Sequence, residues 1–80
     1  MNQTIKTPLP GTFYRRPSPD ANPYVEEGDT VSAGDVVGLI EIMKTFHEIR
    51  CDADGVVARF LVENEELVDA GQDIIALEPS

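Results

Sequence analysis

Apolar and polar residues along this chain alternate in short bursts and never settle into a helical period over any window of about eleven residues. Glycines and prolines, six of each, punctuate the pattern from end to end. Short strands are predicted near Thr4–Lys6, Gly11–Arg15, Tyr24–Val25, Val36–Ile42, Thr45–Cys51, Val56–Leu61, Leu67–Val68 and Ile74–Leu77. The expected fold class is all-β, in one domain spanning residues 1–80.

The pattern also repeats. Val25-Glu26-Glu27-Gly28-Asp29-Thr30-Val31-Ser32-Ala33-Gly34 matches Val62-Glu63-Asn64-Glu65-Glu66-Leu67-Val68-Asp69-Ala70-Gly71 at an offset of 37, and each copy leads into an apolar strand closed by glutamate, Val37–Glu41 and Ile74–Glu78. Two similar β-units packed around one core, related by an internal two-fold, follow from this. The turns Pro10-Gly11 and Asp54-Gly55 correspond at an offset of 44, so the first unit carries about seven extra residues. Residues 16–22, Arg16-Pro17-Ser18-Pro19-Asp20-Ala21-Asn22, form that insertion, and their composition suits a protruding, partly rigid loop, functional or incidental. Gly28, Gly34, Gly55 and Gly71 read as turn positions needing unusual φ.

Between Val36–Ile42 and Thr45–Cys51 only Met43 and Lys44 remain to turn the chain. A two-residue hairpin there pairs Ile42 with Thr45, Ile40 with His47, Gly38 with Ile49 and Val36 with Cys51 on a mostly apolar face. Glu41 with Phe46, Leu39 with Glu48 and Val37 with Arg50 make the mixed opposite face. Such turns require positive φ at both central residues, which Asn and Gly favour and Met-Lys adopts only at a steric cost. A locally unfavourable tip points to function. Lys44 is one of only two lysines, the other being Lys6. The plainer explanation is a solubilising lysine, but it leaves an exposed Met43 with no packing role, whereas a methionine suits contact with a partner enzyme. An exposed lysine amine is chemically suited to acylation once an enzyme has removed its proton.

Composition narrows the partners. Fifteen acidic against six basic side chains give a formal charge of −9, which repels phosphate backbones and anionic lipid, so neither nucleic acid nor membrane is an expected partner. One cysteine, Cys51, forms no internal disulfide, and with no signal-like run at the N-terminus a cytoplasmic setting is expected. His47 and Cys51, four apart on one strand, sit roughly 13 Å from each other, too far to share a metal or a proton, and read as structural filling. Asp52-Ala53-Asp54-Gly55 reads as a turn, since a calcium loop would put Arg50 and Leu61 at ligand positions. Arg15 and Arg16 read as solvated cations beside the acidic surface.

Glu41-Ile42-Met43-Lys44 resembles the Glu-Ala-Met-Lys signature of biotinyl domains, in which the lysine is amide-linked to biotin. Pro10-Gly11-Thr12-Phe13-Tyr14-Arg15, Pro17-Ser18-Pro19-Asp20-Ala21 and Ala33-Gly34-Asp35 are similar to the biotin carboxyl carrier proteins of bacterial acetyl-CoA carboxylases, over about Pro8 to Glu78. The resemblance implies a flattened barrel-sandwich of two four-stranded antiparallel sheets with pseudo-two-fold symmetry. It implies covalent biotin on Lys44, with Met43 and Glu41 as accompanying site residues, and a thumb-like role for residues 16–22. The implied partners are a biotin protein ligase, a biotin carboxylase and a carboxyltransferase. The implied role is non-catalytic: carrying carboxybiotin between the last two in fatty acid biosynthesis. Ile42 stands where that family has alanine and Thr45 where it has methionine or leucine, so the efficiency of ligation is expected to differ. The family's N-terminal region and Pro/Ala-rich linker have no counterpart here, as expected of a stand-alone carrier, including one serving another biotin-dependent carboxylase, or of an excised domain. A lipoyl carrier, whose tip usually reads Asp-Lys-Ala, and an unmodified β-sandwich interaction module are the remaining alternatives.

Overall fold

Strand alternation, broken by bulges at Val37, Ala58 and Ile74, decides which side chains of this chain turn inward. The computed structural model describes residues 3–79. Its strands are β1 (Gln3–Lys6), β2 (Gly11–Tyr14), β3 (Thr30–Val31), β4 (Val36–Ile42), β5 (Thr45–Arg50), β6 (Gly55–Phe60), β7 (Leu67–Val68) and β8 (Asp73–Glu78), with no helix among the described residues. They form two four-stranded antiparallel sheets, ordered β1-β8-β6-β3 and β5-β4-β2-β7. Between the sheets lies a core built on Ile5, Phe13, Val37, Ile40, Ile74 and Leu77, all at most 2% exposed. The two-sheet, all-β expectation holds.

The internal two-fold extends to individual hydrogen bonds. Gly28 N–H donates to Val57 O at 2.8 Å, and 37 and 44 positions away Glu65 N–H donates to Phe13 O at 2.6 Å. Gly34 N–H to Cys51 O and Gly71 N–H to Thr7 O, both 2.7 Å, are a second matched pair. Buried Thr7 donates its hydroxyl to Leu9 O, and its counterpart Cys51 donates its thiol to Ala53 O, each at 2.7 Å. Burial pushes the Cys51 thiol up, so the one cysteine is a packed donor and not a nucleophile, as expected.

Three sequence expectations need correction. Tyr24–Val25 is not a strand; Thr30–Val31 is, pairing with Val56 and Gly55. Val25 is buried in the core, but its segment pairs with no strand among the described residues and is tied by Tyr24 N–H to Arg15 O at 2.9 Å, while the repeat already aligned Thr30-Val31 with the strand Leu67-Val68. The hairpin register holds from Ile42↔Thr45 to Gly38↔Ile49, but then a bulge puts Arg50 opposite Val36, so neither Val36↔Cys51 nor Val37↔Arg50 forms. That bulge turns Val37 into the core at 0% exposure, as it does Ile74 in the other half. Finally, Gly28, Gly34 and Gly71 have φ of 95°, 96° and 83°, but Gly55 does not share this; it opens β6 where a Cβ would lie 2.8 Å from Glu78 O.

Where one unit has Gly28, the other has Glu65, held at φ 68°. A left-handed conformation costs a side-chain-bearing residue about 1–2 kcal/mol, partly offset by the greater freedom glycine loses on folding. Glu65→Gly is therefore expected to stabilise the fold by about 0.5–1 kcal/mol in urea unfolding. A destabilised variant would mean that the turn relies on the Glu65 side chain.

Candidate functional site

Met43 and Lys44 turn β4 into β5 with φ of 48° and 67°, the doubly positive turn that the two-residue spacing requires. Met43 is 93% exposed and Lys44 is also exposed. Holding two side-chain-bearing residues in that region costs on the order of 1 kcal/mol each, and the pairing of β4 with β5 behind the tip imposes it. By the internal two-fold, the hairpin occupies in its own half the place that the two chain ends occupy in the other, since Ile40↔His47 corresponds to Leu77↔Gln3.

The two lysines differ in kind. Lys6 is hydrogen-bonded to Asp73, which also accepts from Thr4 Oγ1 at 2.9 Å, and this ammonium holds the Asp73 carboxyl below the usual carboxylate range. Among the described residues Lys44 has no ion pair. Its amine projects from a tip with open surroundings, a geometry that fits covalent attachment of a bulky group.

Glu41 is not a loose carboxylate beside that amine. Tyr14, on β2, donates its hydroxyl to Glu41 Oε1 at 2.9 Å, and this bond, more than partial burial, pushes the phenol above its ordinary value. The Tyr14 ring also packs on Phe46, centroids 5.9 Å apart. Tyr14 thus braces both strands of the hairpin. Sequence reasoning missed it, because the pairing of β2 with β4 was not predicted; only the matching parity of Tyr14 and Leu39 hints at it.

Other expected features land differently. Ile42 is half-buried and packs against the core, its Cγ1 lying close over Gly11, whereas Thr45 is exposed. His47 is exposed and so is not structural filling, because β5 is an edge strand whose outer half overhangs the core. Arg15 is not simply solvated: its guanidinium carbon sits 3.9 Å from the Phe60 ring centroid, while its backbone N–H donates to Asn64 Oδ1 at 2.8 Å. Residues 15–24 form a loop closed at its base by Tyr24 N–H to Arg15 O, and a recess of about 240 Å³ lies among Tyr14, Arg16, Ser18, Pro19, Asn64 and Glu65. No cluster of His, Cys, Asp and Glu suited to a metal occurs among the described residues.

The fold and tip define a class: a duplicated β-sandwich that presents one unpaired amine on a strained hairpin. Comparison with known proteins agrees. The model of the biotin/lipoyl family, described as biotin-requiring enzyme, matches residues 3–77, and the chain belongs to that family. It is 39% identical over 75 residues to the biotin carboxyl carrier protein of acetyl-CoA carboxylase from Porphyra purpurea, covering 94% of this chain and 48% of that one. The protein of the same name from Nostoc is 40% identical, with 94% and 41% covered. The chain thus spans about half the length, or less, of these relatives. Among solved structures, Kluyveromyces lactis urea carboxylase matches with a TM-score of 0.77 at 27% identity, over 98% of this chain and 6% of that one. A single-chain, multi-domain long-chain acyl-CoA carboxylase matches in fold with a TM-score of 0.79 at 20% identity, over 99% and 7%.

Proposed function

We propose that Lys44 carries covalent biotin and that residues 1–80 act as the non-catalytic carrier domain of an acetyl-CoA carboxylase of fatty acid biosynthesis. The observation that carries this reading is the unpaired Lys44 on a doubly positive-φ tip, in a chain of the biotin/lipoyl family. When attached, the biotin ring supplies a site that accepts a carboxyl group at one active centre and releases it at another. The chain's own contribution is mechanical. β4 and β5 fix the tip, Tyr14 braces the strands behind it through Glu41 and Phe46, and the lysine side chain gives the attached group its swing. Tethering turns each encounter with biotin carboxylase or carboxyltransferase into a reaction at high local concentration.

Attachment needs a biotin protein ligase. The Lys44 ammonium gives up one proton, the free amine attacks an activated biotin carboxyl, the amide C–N bond forms as the bond to the activating group breaks, and a second proton goes to solvent while the third stays on the amide nitrogen. One positive charge disappears, taking the formal balance from −9 to −10. Of the two departures from the family signature, Ile42 serves packing, so any change in ligase recognition falls on Thr45. Residues 16–22 take the thumb-like role beside the tip-bearing sheet, supported by the closed loop base at Arg15 and Tyr24.

The test is incubation of the chain with a bacterial biotin protein ligase, biotin and ATP, followed by intact-mass and peptide mapping. One biotinyl increment on the peptide containing Lys44 is expected. An increment elsewhere would refute the site, and lipoylation by a lipoate ligase with no biotinylation would replace biotin as the cargo.

A further inference from the structure

The internal two-fold supplies its own control, because whatever the fold alone requires should recur in both halves. On the sheet that bears Lys44, Phe46, Glu41, Thr12 and Leu67 are paired in sequence across β5, β4, β2 and β7, so all four point outward in one row roughly 14 Å long. The row ends in two exposed apolar side chains, Phe46 at 54% and Leu67 at 77%. In the other sheet the equivalent row is Glu78, Val56 and Thr30, its fourth position falling outside the described residues. Threonine thus stands where Leu67 stands. In the adjacent row Leu39, itself buried, pairs with Tyr14, whereas in the other half a bulge at Ala58 sets Arg59 opposite Ala76. At the end of the first row, leucine on the tip-bearing sheet thus faces solvent where the twin sheet folds with threonine, so the fold itself does not require an apolar side chain there.

We infer that this outer face, from Met43 and Phe46 across to Leu67, is the docking surface of the ligase that acylates Lys44; the inference rests on the function proposed above. Reach selects this occupant. A ligase must bring its acyl donor to the bare amine, one side chain above the backbone, so its surface must come down on the tip and on the face directly behind it. An enzyme that works at the far end of an attached biotin stays further out. Charge specifies its chemistry. The charged groups on the two rows, Glu41 and Glu48, are both acidic, and Glu65 and Glu66 precede Leu67. Arg50 already engages Glu48 at 2.7 Å, and Tyr14 occupies Glu41 Oε1, leaving Oε2 for a partner's donor. The matching surface is an apolar recess for Phe46 and Leu67 with a cationic group for Glu41.

Leu67 is diagnostic because it lies far from Lys44 in sequence and joins it only through strand pairing. Biotinylation of the whole chain by a bacterial biotin protein ligase is measured for Leu67→Thr, which installs the residue the other half carries, for Leu67→Ser, for Phe46→Thr, and for Leu61→Ser, a control 38% exposed at the end of β6. Leu67→Thr and Leu67→Ser are expected to raise KM about tenfold with kcat within about twofold, Phe46→Thr to raise KM at least as much while also lowering kcat through loss of the Tyr14 packing, and Leu61→Ser to change neither. Unfolding midpoints near that of the unsubstituted chain verify that KM reports docking. An unchanged KM in both Leu67 variants overturns the docking surface while leaving Lys44 as the biotin site. Absence of biotin on the unsubstituted chain overturns both.

Discussion

Lys44→Arg is expected to reduce biotin incorporation to background in the intact-mass assay while leaving the unfolding midpoint where it was. Arginine keeps the charge, the length and the left-handed backbone strain of the tip, but its guanidinium does not form the amide. Lys6 offers no substitute, because it is tied to Asp73 in the other sheet. Lys44→Gly sharpens the point. It relieves a residue held at φ 67° and is expected to gain on the order of 0.5–1 kcal/mol of stability while losing all modification. Opposite signs for stability and modification at one position are the mark of a strained functional residue. Biotin retained in Lys44→Arg, mapped to any other residue, would remove Lys44 from its role.

Much of this architecture is legible because strand pairing here is local or duplicated. The β4–β5 hairpin follows from a two-residue gap between apolar runs, and the doubly positive φ of Met43 and Lys44 follows from that gap alone. The bulge at Val36–Gly38 was not legible, since alternation assigns Val37 to the outer face and only packing against the other sheet turns it inward. Tyr24–Val25 misled because burial of Val25 mimics a strand signal, although the match of Thr30-Val31 to Leu67-Val68 carried the right answer. Around the tip, Lys44 and Met43 were conspicuous, but the Tyr14 brace and the row reaching Leu67 depend on which strands neighbour one another. That is a long-range property. Arg15 on Phe60 escaped for the same reason, two half-buried residues meeting across a loop.

At the base of the hairpin the two halves distribute large and small side chains differently, and there the largest loss of stability is expected. A Cβ on Gly38 would lie 2.6 Å from Phe13 Cε1 and 3.1 Å from Tyr14 O. Phe13 is 0% exposed and packs on Phe60 at 6.4 Å between centroids, so its ring has nowhere to retreat. The other half fills the equivalent positions with Val57 and Ile75, a small and a large residue exchanged between strands. Gly38→Ala is expected to cost about 2–3 kcal/mol by overpacking. A chain of this length has a total of about 4–12 kcal/mol to lose, so the midpoint in urea should fall steeply. Phe13→Leu alone is expected to cost about 1–2 kcal/mol through the cavity it leaves. In the double variant the alanine methyl enters that cavity, so the combined cost should fall short of the sum by about 1–2 kcal/mol. Strict additivity would mean that the Phe13 ring and Gly38 do not share the space between β2 and β4, and that the hairpin is anchored to the core elsewhere.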